Sequence, residues 1–282
     1  MHTSGQETPF QLIGRNAPLI FLPSYVNGTG PYNFVLDSGA SHCLISHELA
    51  WNLGIASEAK ENAFGAGGEV QLFRASVDSV AVGSARQVNI PFIITHDLES
   101  IGAALKTTVD GAIGCNFMKD FRVSLDYQRK IVRFAPPEQA NDCSDDSSFF
   151  VPFTFGPSDP LILLQAFANG QGPFSFAVDT AAGRSVLSPT LASRVNVEIE
   201  RAVTGKGIGG QIQMDRARLD SLTVGQATVR DHLVAVGDIF DGLSKAVGTE
   251  LEGVIGNSFL NQFHVILDFQ RNRLGLEPSA PL

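Results

Sequence analysis

The feature that most constrains this chain is an internal repeat. Asn27-Gly28-Thr29-Gly30-Pro31-Tyr32-Asn33-Phe34 returns as Asn169-Gly170-Gln171-Gly172-Pro173-Phe174-Ser175-Phe176, so residue n recurs at n + 142. The same gapless offset carries Pro18-Leu19-Ile20 to Pro160-Leu161-Ile162 and Gly65-Ala66-Gly67-Gly68 to Gly207-Ile208-Gly209-Gly210. It also carries Gly111-Ala112-Ile113-Gly114 to Gly253-Val254-Ile255-Gly256, and Leu125-Asp126-Tyr127-Gln128-Arg129 to Leu267-Asp268-Phe269-Gln270-Arg271. A period this long is a duplicated domain and not a solenoid of short units. The 282 residues therefore divide into an N-terminal unit, 1–136, and a C-terminal unit, 150–282. Between them, 137–149 is polar, acidic and begins with proline, which reads as an exposed linker.

Within each copy the signals are short strands separated by turns. Leu19-Ile20-Phe21-Leu22 and Leu161-Ile162-Leu163-Leu164 are apolar runs of strand length, and Asn27-Gly28 and Asn169-Gly170 are hairpin dipeptides. Ser46 and Ser188 are placed to N-cap one short helix per copy, the second with Pro189 at its first position. Val123–Asp126 and Lys130–Phe134 form a further hairpin. Hydrophobic residues at 44% supply a real core. The expected fold is all-β: two similar small barrels, closed or partly closed, facing each other across a pseudo-two-fold axis. The net charge of −9 would repel phosphate backbones, so nucleic acid is not an expected partner. No apolar run approaches the roughly 20 residues that span a bilayer. The start, Met1-His2-Thr3-Ser4, lacks the pattern of a signal peptide. Cys43, Cys115 and Cys143 are odd in number and widely spaced, which gives neither a disulfide framework nor a metal pair; two buried thiols and one exposed are expected.

One carboxylate in each copy follows an apolar strand and precedes small residues: Asp37 in Phe34-Val35-Leu36-Asp37-Ser38-Gly39-Ala40, and Asp179 in Phe176-Ala177-Val178-Asp179-Thr180-Ala181-Ala182. A carboxylate leaving a buried strand must be paired or hydrogen-bonded. Ser38 and Thr180 offer hydroxyls, and Gly39 and Ala181 let backbone N–H groups come close. If the two loops meet on the axis, the carboxylates share a proton, one acting as base toward water and the other as acid toward substrate.

Asp-Ser-Gly-Ala at 37–40 and Asp-Thr-Ala-Ala at 179–182 resemble the Asp-Thr/Ser-Gly motif of aspartic proteases. Val109–Gly114 and Leu251–Gly256 resemble the hydrophobic-hydrophobic-Gly segment that closes the ψ-shaped loop in that family. Phe64-Gly65-Ala66-Gly67-Gly68 and Lys206-Gly207-Ile208-Gly209-Gly210 resemble the glycine-rich flaps of retropepsins. Three motifs, each twice and in order, make the chain resemble a single-chain, fused-dimer retropepsin-like protease with pepsin's two lobes. The resemblance implies an aspartic endopeptidase that uses Asp37 and Asp179, needs no cofactor or metal, binds an extended peptide and works as a monomer. It also implies an extracytoplasmic location, periplasmic or secreted. Two departures stand out. Ala181 replaces the family's glycine, and its methyl is expected to crowd the loop contact or force another backbone angle. Neither flap carries a tyrosine, since the tyrosines are Tyr25, Tyr32 and Tyr127. Two rival readings follow: a peptide-binding module of the same fold that lost turnover, and a hydrolase of a non-peptide amide.

Other repeated acids read as structural. Asp126 and Asp268 precede an arginine at hairpin ends, and Asp110 and Glu252 lead into the ψ-loop glycines. His42 and His47 are five apart and have Arg184 and Pro189 as counterparts, which disfavours zinc. Gly205–Gly210 lacks the ending of a phosphate-binding loop, and no Gly-x-Ser-x-Gly elbow occurs.

Overall fold

The structure, a computed structural model, describes residues 6–15, 17–136, 149–158 and 160–279. Cys143 and the expected linker, apart from Phe149, lie outside the described residues.

Each lobe is one eight-stranded sheet. In the N-terminal lobe the order is Gln11–Ile13, Leu19–Val26, Thr29–Leu36, Gly111–Ile113, Cys43–Ser46, Ala85–Thr95, Gly68–Val82, Ala59–Gly65. Leu19–Val26 also pairs with Gly68–Val82, which partly closes the sheet into a barrel. The C-terminal lobe repeats this order strand for strand, including the closing pair of Ile162–Ala168 with Gly210–Val224. The hairpin dipeptides turn as their residue types require, with Asn27 at φ 51°, Gly28 at 78°, Asn169 at 48° and Gly170 at 72°. Both serine caps form: Ser46 Oγ accepts from Leu49 N–H at the start of His47–Asn52, and Ser188 Oγ accepts from Leu191 N–H at the start of Pro189–Arg194.

A third sheet joins the lobes. Arg122–Asp126 runs antiparallel to Phe263–Asp268 with Ser124 opposite Ile266. Those two residues are repeat equivalents, so the pseudo-two-fold axis passes between them. Arg122 opposite Asp268 and Asp126 opposite His264 are the exchange that such an axis demands. Above this sheet one apolar cluster runs through both lobes, with Phe34, Phe92 and Phe117 on one side and Phe176 and Phe259 on the other, all buried. The lobes thus share a core.

Candidate active site

The strands Thr29–Leu36 and Gln171–Val178 end in buried residues and lie parallel to Gly111–Ile113 and Gly253–Ile255. The phenyl rings of Phe34 and Phe176 occupy the space where a side chain at Gly111 or Gly253 would stand, which is the physical reason for glycine in those segments. Each strand delivers its aspartate just past the last pair: Asp37 N–H donates to Ile113 C=O and Asp179 N–H to Ile255 C=O, both at 3.0 Å.

The next residue of each loop crosses the axis. Ser38 N–H donates to Thr180 Oγ1 at 3.0 Å, and Thr180 N–H donates to Ser38 Oγ at 3.0 Å. Ser38 Oγ then donates to Val178 C=O at 2.9 Å and Thr180 Oγ1 to Leu36 C=O at 2.8 Å. Both hydroxyls are fully buried, so each must accept one bond and donate one, and each does. This reciprocal lock fixes the two loops against each other.

The carboxylates sit beside it. Asp37 Oδ1 accepts from Gly39 N–H at 2.9 Å. Asp179 Oδ1 accepts from Ala181 N–H at 2.7 Å and Ala182 N–H at 3.1 Å. The loops touch closely enough that a Cβ on Gly39 would stand 2.6 Å from Asp179 Cγ. Burial pushes Asp37 well above the usual carboxylate range, and the charge of Asp179 adds to it; the N–H groups of Gly39 and Ala40 oppose. Asp179 is also raised by burial, against the N–H groups of Ala181, Ala182 and Gly39. Two half-buried carboxyls whose charges repel each other favour holding one proton between them.

The expected crowding at Ala181 does not occur. Ala181 takes no positive φ, and its methyl packs against the apolar cluster of Phe21, Val35, Leu44 and Ala112 in the opposite lobe. The close approach is one-sided: Gly39 presses on Asp179, while position 181 has room for a side chain.

The ten glycine-rich positions, 64–68 and 206–210, lie at two hairpin tips that meet each other. Gly67 N–H donates to Ile208 C=O at 2.8 Å, and Gly209 N–H donates to Asp97 Oδ2 at 2.9 Å. Half-exposed Phe64 lies against Gly242, and Lys206 Nζ reaches Ser100 C=O at 3.5 Å. Ile208 joins the same apolar cluster as Ala181, which ties the second tip to the second aspartate loop.

Two supporting residues escaped the sequence reading. Asn257 Nδ2 donates to Thr180 C=O at 2.7 Å, and buried Tyr127 donates its hydroxyl to Asn257 Oδ1 at 2.7 Å. The repeat equivalent of Asn257 is Cys115, whose Sγ donates to Ser38 C=O at 3.4 Å. The shared position was the available signal, hidden because the two residue types differ. The acids read as structural are occupied elsewhere: Asp126 and Asp268 bond the backbone of Arg129 and Arg271, and Asp110 and Glu252 accept from the N–H groups of Asn33 and Ser175. His47 stacks on His96 with centroids 4.1 Å apart. Burial pushes the Cys43 thiol up to about 12, which leaves it unreactive.

A model of the aspartyl protease family matches the chain twice, over residues 22–117 and 164–259, so that Asp37 falls in one match and Asp179 in the other. No curated protein matches the chain.

Proposed function

Because the chain belongs to the aspartyl protease family, we propose that it is an aspartic endopeptidase in which Asp37 and Asp179 together activate one water. The observation that carries this reading is the reciprocal lock of the buried Ser38 and Thr180, which brings one half-buried carboxylate from each lobe to the same axis. Burial and mutual repulsion favour the singly protonated pair. The ionised member takes a proton from the water, and the water oxygen attacks the peptide carbonyl carbon. The protonated member gives its proton to the carbonyl oxygen, forming a neutral gem-diol. Collapse breaks the C–N bond, with one carboxyl returning a proton to the leaving nitrogen and the other receiving one from the diol. The backbone N–H groups at Gly39, Ala181 and Ala182 hold the carboxylates in place throughout.

An extended peptide pairs by backbone hydrogen bonds with the two hairpin tips, which act as flaps. The duplication supplies both half-sites, so a monomer suffices. The accommodated methyl of Ala181 supports turnover over a binding-only role.

The test is digestion of a diverse peptide library from about pH 3 to about pH 8, read by mass spectrometry, with the Asp37→Asn/Asp179→Asn double variant alongside. Cuts that vanish in the double variant are expected. A wild type that cuts nothing, or a double variant that cuts equally well, overturns the proposal.

A further inference from the structure

The two lobes share one polar recess, which an arginine side chain covers in one copy and not in the other. In the C-terminal lobe Arg194 closes the helix Pro189–Arg194 and donates Nη1 to Glu252 Oε1 at 2.7 Å. Its guanidinium lies 4.8 Å from the centroid of the Phe174 ring. The other oxygen of Glu252 accepts from Ser175 N–H at 3.1 Å. The N-terminal lobe builds the same frame 142 residues earlier. Asp110 Oδ2 accepts from Asn33 N–H at 2.7 Å, Tyr32 stands where Phe174 stands, and Ser46 N–H donates to Asp110 C=O as Ser188 N–H does to Glu252 C=O. The arginine, however, is Asn52.

What remains is a cavity of about 350 Å³ whose walls include Tyr32, Asn52, Asp110, Glu48 and Glu99. That size is at the lower end of ordinary ligand sites. Among the described residues no cation pairs with Asp110, Glu48 or Glu99. Aspartate is one methylene shorter than Glu252, so its carboxylate sits further back and leaves room for an incoming group. Burial raises Asp110, the N–H of Asn33 opposes, and the charge of Glu48 adds to the rise, so the three acids share a wall in which a backbone N–H is the partner of Asp110 and a cation is not.

We propose that this pocket binds the arginine side chain of a polypeptide, its guanidinium held by Asp110 and stacked on Tyr32 as Arg194 is held in the other lobe. Arginine fits better than lysine because a planar fork can bond the carboxylate and lie on a ring face at once. This site is separate from the two catalytic aspartates and does not depend on cleavage.

Trp51, the single tryptophan, is 79% exposed and adjoins Asn52, so its fluorescence can report binding. The probes are N-acetyl-arginine methylamide and its citrulline counterpart, which keeps the shape and loses the charge. The arginine probe is expected to bind at least about tenfold tighter than the citrulline probe, and Asp110→Asn to remove that difference. The asparagine still accepts from Asn33 N–H, so this variant should fold. Asn52→Arg, with Asp110→Glu to copy the other lobe, should abolish binding and raise Tm. Conversely, Arg194→Ala empties the equivalent cavity, and millimolar methylguanidinium should raise its Tm more than that of the wild type. Equal binding of the two probes, no binding up to about 10 mM, or undiminished binding by the filled variant overturns the proposal.

Discussion

Gly39→Ala tests how closely the two aspartate loops are fitted. A Cβ there would lie 2.6 Å from Asp179 Cγ and 2.7 and 2.8 Å from its two oxygens. Carbon atoms at rest stand about 3.5 Å apart, so the carboxylate must retreat by about 1 Å. It cannot swing aside freely, because Ala181 N–H and Ala182 N–H grip it at 2.7 and 3.1 Å. A displacement of that size at reacting groups costs on the order of 10²-fold in rate, or about 2.7 kcal/mol of transition-state stabilisation. Gly39 has no positive φ, so the backbone tolerates alanine. The overpacking of about 1–3 kcal/mol is partly offset by the entropy removed from the unfolded chain. The expected result is therefore kcat/KM down by about two orders of magnitude with Tm lowered by only a few degrees. The mirror change, Ala181→Gly, should leave kcat/KM within about threefold and cost up to about 1 kcal/mol of stability. Full activity in Gly39→Ala, measured by peptide cleavage and thermal melting together, would refute the claim that this glycine sets the spacing of the pair.

The remaining predictions concern pH and the lock. Both aspartates have folded pKa values raised above their unfolded values, so their contribution to stability is present in acid and is lost as pH rises through the folded pKa. Asp37→Asn should accordingly raise Tm near neutrality, and a melt no higher than wild type would contradict the cost of ionising Asp37 beside Asp179. The kcat/KM profile should be bell-shaped, with an alkaline limb above the ordinary carboxylate range; activity climbing steadily past about pH 8 would contradict a shared proton. His232 is buried beside Ser185 Oγ at 3.3 Å, and burial with the charge of Arg184 lowers it from 6.5 to about 4. The unfolded chain takes up this proton first, so stability should fall by up to about 3 kcal/mol between those two pH values. His232→Ile, which copies Ile90 in the other lobe, should flatten that acid slope in denaturant titrations. Thr180→Val leaves Ser38 N–H and Leu36 C=O buried without their partner and should cost about 2–4 kcal/mol by urea unfolding.

Much of this architecture was legible because it is written locally and twice. Asn27-Gly28 and Ser46 act through neighbours within three residues, and both turned and capped as their chemistry dictates. The aspartate loops were legible for another reason: a carboxylate after Phe34-Val35-Leu36 makes sense only with partners, and its repetition at Asp179 named the partner loop. What escaped depends on pairing between lobes. Arg122–Asp126 reads as half of a local hairpin, and nothing in its alternation says that Phe263–Asp268 will lie along its other edge. Asn257 escaped because its equivalent is Cys115, so a search for identity passes over a position whose job, bonding the carbonyl after the aspartate, is conserved between the copies by different chemistry. Ala181 was misjudged because the cost of a methyl depends on the apolar surface across the axis, which only the packed lobes create.

The central claim is that Asp37 and Asp179 act as one unit. Its most direct test is a comparison of kcat/KM for Asp37→Asn, Asp179→Asn and the double variant on a peptide taken from the library digest. Groups that work as a unit are strongly non-additive, so each single change should lose about as much as both together. A single variant that keeps substantial activity, or losses that multiply in the double variant, would contradict the shared site.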